Sequence, residues 1–224
     1  VETGRSRPSR DMVLHLAERL DVPLRERNHL LLAAGYAPAY RESPLDSALL
    51  APVAAAVRQI LAGHEPYPAV VVNARSELLD ANASIGLFLA DVAPHLVEPP
   101  ANVLRVALHP DGMAPNIVNL PTWRGHLLER LRRQIANSAD PVLVELYDEV
   151  AGYPGGEETG EPDPAVAVAL PMRYRHHGRE LVFVSTLATF GAPLDVTVAE
   201  LAIEAFYPAN EETAAVLRAA ASSR

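Results

Sequence analysis

Arg105 and His109 stand four residues apart in NVLRVALHP, residues 102–110. On a helix that spacing puts both on one face, where guanidinium and imidazole could together hold a carboxylate. A solvated or salt-bridged face gives the same pattern without a ligand. Glu200 and Glu204 are also four apart. On a strand they share a face and could do acid–base work; a solvated sheet face or a partner surface is the plainer reading. His176 and His177 are adjacent in a tight turn, where two rings rarely reach one metal. His15 and His29 have no acidic partner at ligand spacing, so no metal site is expected. Ser185-Thr186 lacks a Gly-x-Ser-x-Gly elbow, and the glycines of YPGGEETG lack the Gly-Lys pair of a phosphate loop. No convincing nucleophile–base pair remains, and the chain reads as a non-enzyme.

Other residues could bind rather than react. In ETGRSRPSR, residues 2–10, Ser9 at a helix start could turn backbone N–H groups toward a phosphate, with Arg5, Arg7 and Arg10 beside it. A solvated loop plus an N-cap is the alternative. Trp123, the single tryptophan, lies on an amphipathic stripe with Leu127. These two, with Phe88, Leu104, Leu108, Phe183, Leu187 and Phe206, are candidates for the wall of an apolar pocket. A core needs apolar side chains as much as a pocket does, so sequence does not separate lining from packing.

Composition narrows the classes. The 224 residues are 49% hydrophobic, enough for one sizeable core, or one domain and a small appendage. No apolar run reaches the about 18 residues of a membrane span, and no basic-then-apolar leader suggests export, so a cytoplasmic protein is expected. Cysteine is absent, which removes disulfides, thiolate zinc sites, iron–sulfur clusters and cysteine nucleophiles. All 19 basic residues are arginine, which removes a P-loop lysine and a Schiff base. Residues 1–27 hold six arginines against five acids, a net +1, leaving −10 for the rest of a chain at −9. DNA contact is therefore expected only from that first segment.

Periodicity supplies the elements. Ser9 caps a helix carrying Met12, Val13, Leu16 and Leu20. Pro23 opens a second, with Leu30, Leu31 and Leu32 inward and Gly35 as its stop. YAPAYRESP is a linker, and a third helix over 47–63 turns Leu50, Val53, Val57, Ile60 and Leu61 to one side. AVVVN and ELLDA form a hairpin, and Asn82 caps a short helix. A helical middle follows: 102–110, then a long helix through Trp123 started by Pro121, then one capped by Asp140. Residues 165–175 and 179–190 form a second hairpin, with Leu181 and Phe183 on one face. Residues 195–208 could be strand or helix; β-branched and aromatic content favours strand. A helix over 210–220 closes the chain. Strands split around a helical insert give an α+β domain with helices on one face of an antiparallel sheet, and a ligand space between the layers.

Three long stretches carry a family resemblance. ETGRSRPS followed by LHLAERLDVPLRERNHLLLAAGYAP resembles the second half of an XRE-type helix-turn-helix domain. NVLRVALHPDGMAPNIVNLPTW (102–123) and STLATFGAPLDVTVAELAIEAFYPA (185–209) resemble the MmyB-like family of transcription regulators. The resemblance implies a helix-turn-helix remnant over 1–40, a linker helix over 41–66 and a PAS-like ligand-binding domain over 67–224. It implies that most of the recognition helix lies upstream of position 1, so these residues would brace DNA without reading it. It places Arg5, Arg7, Ser9 and Arg10 at the phosphate backbone. It also implies a fatty-acid-like apolar ligand, no other cofactor, and a homodimer. A protein-interaction or dimerisation module without a small ligand is the alternative.

Overall fold

The computed structural model describes residues 7–156 and 170–222. Its first helix, α1 (Arg10–Arg19), starts where Ser9 Oγ accepts from the Met12 amide at 3.2 Å. The second, α2 (Leu24–Ala33), ends in a Schellman closure: Tyr36 N donates to Leu31 O and Gly35 N to Leu32 O. That closure needs a positive φ at the residue after the cap, and Gly35 supplies 81°. Of the three leucines expected inward, only Leu31 is buried; Leu30 and Leu32 are exposed. Three consecutive residues fan over about 200° of a helix, so one neighbour covers only the middle one. Ile60 is likewise exposed rather than inward.

The linker is stitched down. Asn28 Oδ1 accepts from the amides of Ala39 and Tyr40, and its Nδ2 donates to Tyr40 O. Downstream, α3 (Ala51–His64) precedes the hairpin of β1 (Ala69–Val72) and β2 (Leu78–Ala81). Asn73 closes the hairpin turn by accepting from Arg75 N and Glu77 N. Asn82 makes no side-chain cap on the helical turn after it. It ties strand to loop instead, accepting from Ala69 N and donating to Tyr67 O. The Ala69 amide is buried and the Tyr67 carbonyl half-buried, so the Asn82 amide satisfies them at the expense of the cap.

The middle is helical, with α4 (Gly86–Leu89), α5 (Val103–Leu108), α6 (Leu120–Ser138) and α7 (Pro141–Ala151). Asn102 and Asp140 are side-chain N-caps, of α5 and α7. Then come β3 (Met172–His176), β4 (Arg179–Thr189), α8 (Val196–Glu200), β5 (Ala202–Pro208) and α9 (Glu211–Ser222). The sheet is antiparallel in the order β2-β1-β5-β4-β3, so the two early strands join the three late ones in a PAS-like arrangement. Part of the strand expected over 165–175 lies outside the described residues.

The segment 195–208 is not one strand. Asp195 accepts from the Thr197 amide at 2.9 Å and starts α8; Leu201, at ψ 130°, returns the chain to β5. Apolar alternation in this stretch fits either state, and the cap settles it in favour of helix for the first half.

Register sets the two faces of the sheet. Val70, Met172, Glu204 and Phe206 point toward α4, α5 and α6, with α7 packed behind α5 and α6. Ala69, Val71 and Ile203 point the other way and pack against Val57 and Leu61 of α3. The main helical layer covers one face, as expected, and α3 adds cover at the β1–β5 end of the other.

Candidate ligand cavity

Helix α6 brings Trp123, Leu127 and Arg130 to one stripe, at i, i+4 and i+7. Strand β5 brings Glu204 and Phe206, two apart and so on one face. Between them, closed by α4, α5 and the loops at Val97, Ala101 and Met113, lies a cavity of about 80 Å³. Phe88 and Leu104 complete its wall. Five of the candidate residues therefore line it: Phe88, Leu104, Trp123, Leu127 and Phe206.

The others lie elsewhere. Leu108 and Phe183 are buried in the core behind the lining. Phe183, Tyr174 and Phe206 each set a ring edge-to-face against Phe88, with centroids 5.1 Å apart. Leu187 pairs with Glu204 in the sheet but reaches past the helical cover and is 52% exposed.

Arg105 and His109 do not line the cavity. On α5, Leu104 and Leu108 point inward, so Arg105 points out and forks onto Glu149 of α7 at 2.7–3.0 Å. Arg105 holds the Glu149 carboxyl below its ordinary range. The Tyr153 hydroxyl, also on Glu149, is pushed up to about 12 by burial and that carboxylate. His109 Nδ1 accepts from the Asp111 amide at 3.0 Å. His95, His109 and Asp111 bring ligand atoms within 4.8 Å of one another. The hydrogen bond occupies the Nδ1 lone pair, though, and leaves the proton of the neutral ring on Nε2. His109 thus has no free lone pair for a cation.

Glu200 and Glu204 share no face, because the α8–β5 break falls between them. Glu200 takes Arg25 of α2 in a fork at 2.6 and 2.9 Å. Glu204 meets Arg130 across the cavity at 3.2 and 3.4 Å. This second pair is the part that sequence reasoning missed. The spacing from Trp123 to Arg130 was the available signal, as was a lone acid inside AIEAFYP. At the front, Arg7, Ser9 and Arg10 are exposed at the start of α1, and Arg5 lies outside the described residues.

A family model described as the MmyB-like transcription regulator ligand binding domain matches residues 53–220. The chain belongs to the MmyB-like transcription regulators. No curated protein matches it closely enough to be named beside it. The matched span contains all five strands and every residue lining the cavity, so the cavity of this MmyB-like regulator lies within its ligand-binding region. Helices α1 and α2 precede the match. No helix among the described residues is long and apolar enough to cross a membrane.

Proposed function

We propose that this chain is the sensing part of a cytoplasmic bacterial transcription regulator, without catalytic activity, and that its cavity takes the chain of a fatty-acid-like molecule. The supporting observation is the cavity wall: sixteen of its eighteen lining residues carry no charge, and they are drawn from both the sheet and the helical layer. At about 80 Å³ the cavity is well below the roughly 300 Å³ at which ligand pockets begin. A long chain must therefore part the helices from the sheet. Ligand would then favour a more open arrangement than the one described, which is the differential affinity that a population shift requires.

Strand β5 offers the route outward. It lines the cavity through Glu204 and Phe206, and it follows α8 directly. Helix α8 grips the linker: Val196 N donates to Arg41 O, and Thr197 Oγ1 to Ser43 O at 2.7 Å. It also grips α2 through Arg25–Glu200. In this reading residues 1–40 are the DNA-facing part, with Arg5, Arg7, Ser9 and Arg10 at the phosphates. Residues 41–66 are the connector and 67–224 the sensor, and the chain pairs as a homodimer because complete helix-turn-helix domains read paired half-sites.

A module that binds protein rather than ligand draws on a different observation. Met12, Leu16, Leu20, Leu30 and Leu32 of the α1–α2 region are all exposed. Native mass spectrometry separates the two readings: a co-purified lipid supports the sensor, and a bare chain with a stable partner supports the module. Trp123 is the only tryptophan and lines the cavity, so its emission reports entry directly. Titrating C10–C16 fatty acids should shift that emission saturably. A bare chain whose Trp123 emission ignores every chain length would overturn the sensor reading.

A further inference from the structure

The cavity has two charged lining residues, Arg130 and Glu204, in an otherwise uncharged wall. Their burial is unequal. The Glu204 side chain is 7% exposed and that of Arg130 is 31% exposed, so the pair marks the solvent end of the cavity. Their contact is also slack. Arg130 meets Glu204 at 3.2 and 3.4 Å, whereas Arg25, Arg105 and Arg173 grip their carboxylates at 2.6–3.0 Å. A charge-assisted pair normally closes to about 2.7–2.9 Å. Arg130 thus keeps unused donors, and Glu204 keeps acceptor capacity, beside a hydrocarbon space.

A free carboxylate fits this end poorly. It would compete with Glu204 for one guanidinium and leave a net negative charge in an apolar wall. Arg25 does hold two carboxylates, Glu42 and Glu200, but these are 56% and 21% exposed, where water screens them. Glu204 has no such screening. A neutral group with a donor and an acceptor on separate atoms meets both partners: its N–H can donate to Glu204 while its C=O accepts from Arg130.

We propose that the Arg130–Glu204 pair selects a neutral amide head group, so that the ligand is an acyl amide rather than a free fatty acid. This rests on the sensor reading and refines its ligand. The test follows Trp123 emission of the full chain at pH 7.5 with decanamide, decanoate and methyl decanoate. Decanamide should bind about tenfold tighter than either of the others, since the ester lacks the donor and the acid adds a charge; tenfold is about one good polar contact. Glu204→Gln should reverse the order of amide and acid, with circular dichroism confirming the fold. Decanoate binding as tightly as decanamide in the wild type would overturn the proposal, as would an order unchanged in folded Glu204→Gln. If that variant does not fold, the wild-type order of the three compounds still decides. If none of the three binds, the sensor reading itself falls.

Discussion

A Cβ built on Gly112 would lie 2.2 Å from the carbonyl oxygen of Val106, a backbone atom that cannot swing aside. That carbonyl already accepts from Met113 N, and Val106 and Met113 both line the cavity. Gly112→Ala should therefore push the α5 end of the wall and cost about 1–3 kcal/mol. For a chain of this size, that is a Tm lower by roughly 3–10 °C. Gly125 is the control: it is exposed within α6 and a Cβ there meets nothing within 4 Å. Gly125→Ala should raise stability by about 0.5–1 kcal/mol through helix propensity alone. Calorimetry of both variants checks the pair, and equal Tm shifts would refute the close-approach account. Residue types exposed some of this in advance. Trp123 and Leu127 stand out on their stripe, whereas Arg130 is hidden because a charged residue on an apolar stripe ordinarily snorkels to solvent.

At the scale of elements, α8 and β5 join the two ends of the molecule. Asp195 caps α8, and its carboxyl is held below the ordinary range. Burial opposes this, but hydrogen bonds from Ser43 and the first amides of α8 outweigh it. Arg25, raised above its ordinary value first by Glu200 and then by Glu42, pins α2 to the other end of α8. Both partners keep some solvent, at 35% and 21%, so the bond contributes about 0.5–1 kcal/mol. Arg25→Ala or Glu200→Gln should speed amide exchange across Leu24–Ala33 several-fold and leave β1 and β5 protected. Unchanged exchange in both variants would show that other contacts hold α2. Neither helix α8 nor this ion pair is legible in order along the chain. Arg25 and Glu200 are 175 residues apart, and five residues of apolar alternation do not distinguish a helical turn from a strand.

Across the whole molecule, titration gives a signed expectation. Burial, with Arg130 and Arg133, lowers the His126 pKa below its ordinary 6.5; burial and His177 lower that of His176. Both rings bind protons more readily in the unfolded chain, so stability falls as pH drops below about 6.5. Glu149 and Glu180 are held down by Arg105 and Arg173 from an ordinary 4.5. Their contribution is present above that value and is lost as pH falls through the lower folded pKa values. Tm should thus fall in two stages between pH 8 and pH 3, with His126→Gln blunting the first. A Tm that holds level or rises from pH 7 to pH 5 would contradict this sign.

By itself the sequence determined the layered α+β class, the two hairpins, the caps at Ser9 and Asp140, and the family. Each of these is written in local periodicity, in capping residues such as Ser9 and Asp140, or in long stretches of characteristic residues. Only the tertiary structure decided which apolar residues enclose a space and which fill one. It turned Arg105 and His109 away from that space and set Arg130 and Glu204 at its rim. The physical reason is that lining depends on where two layers fail to meet, a property of neither layer's own sequence. A charge becomes tolerable at such a place only when its partner arrives from another layer, as Arg130 does over a strand 74 residues further along the chain.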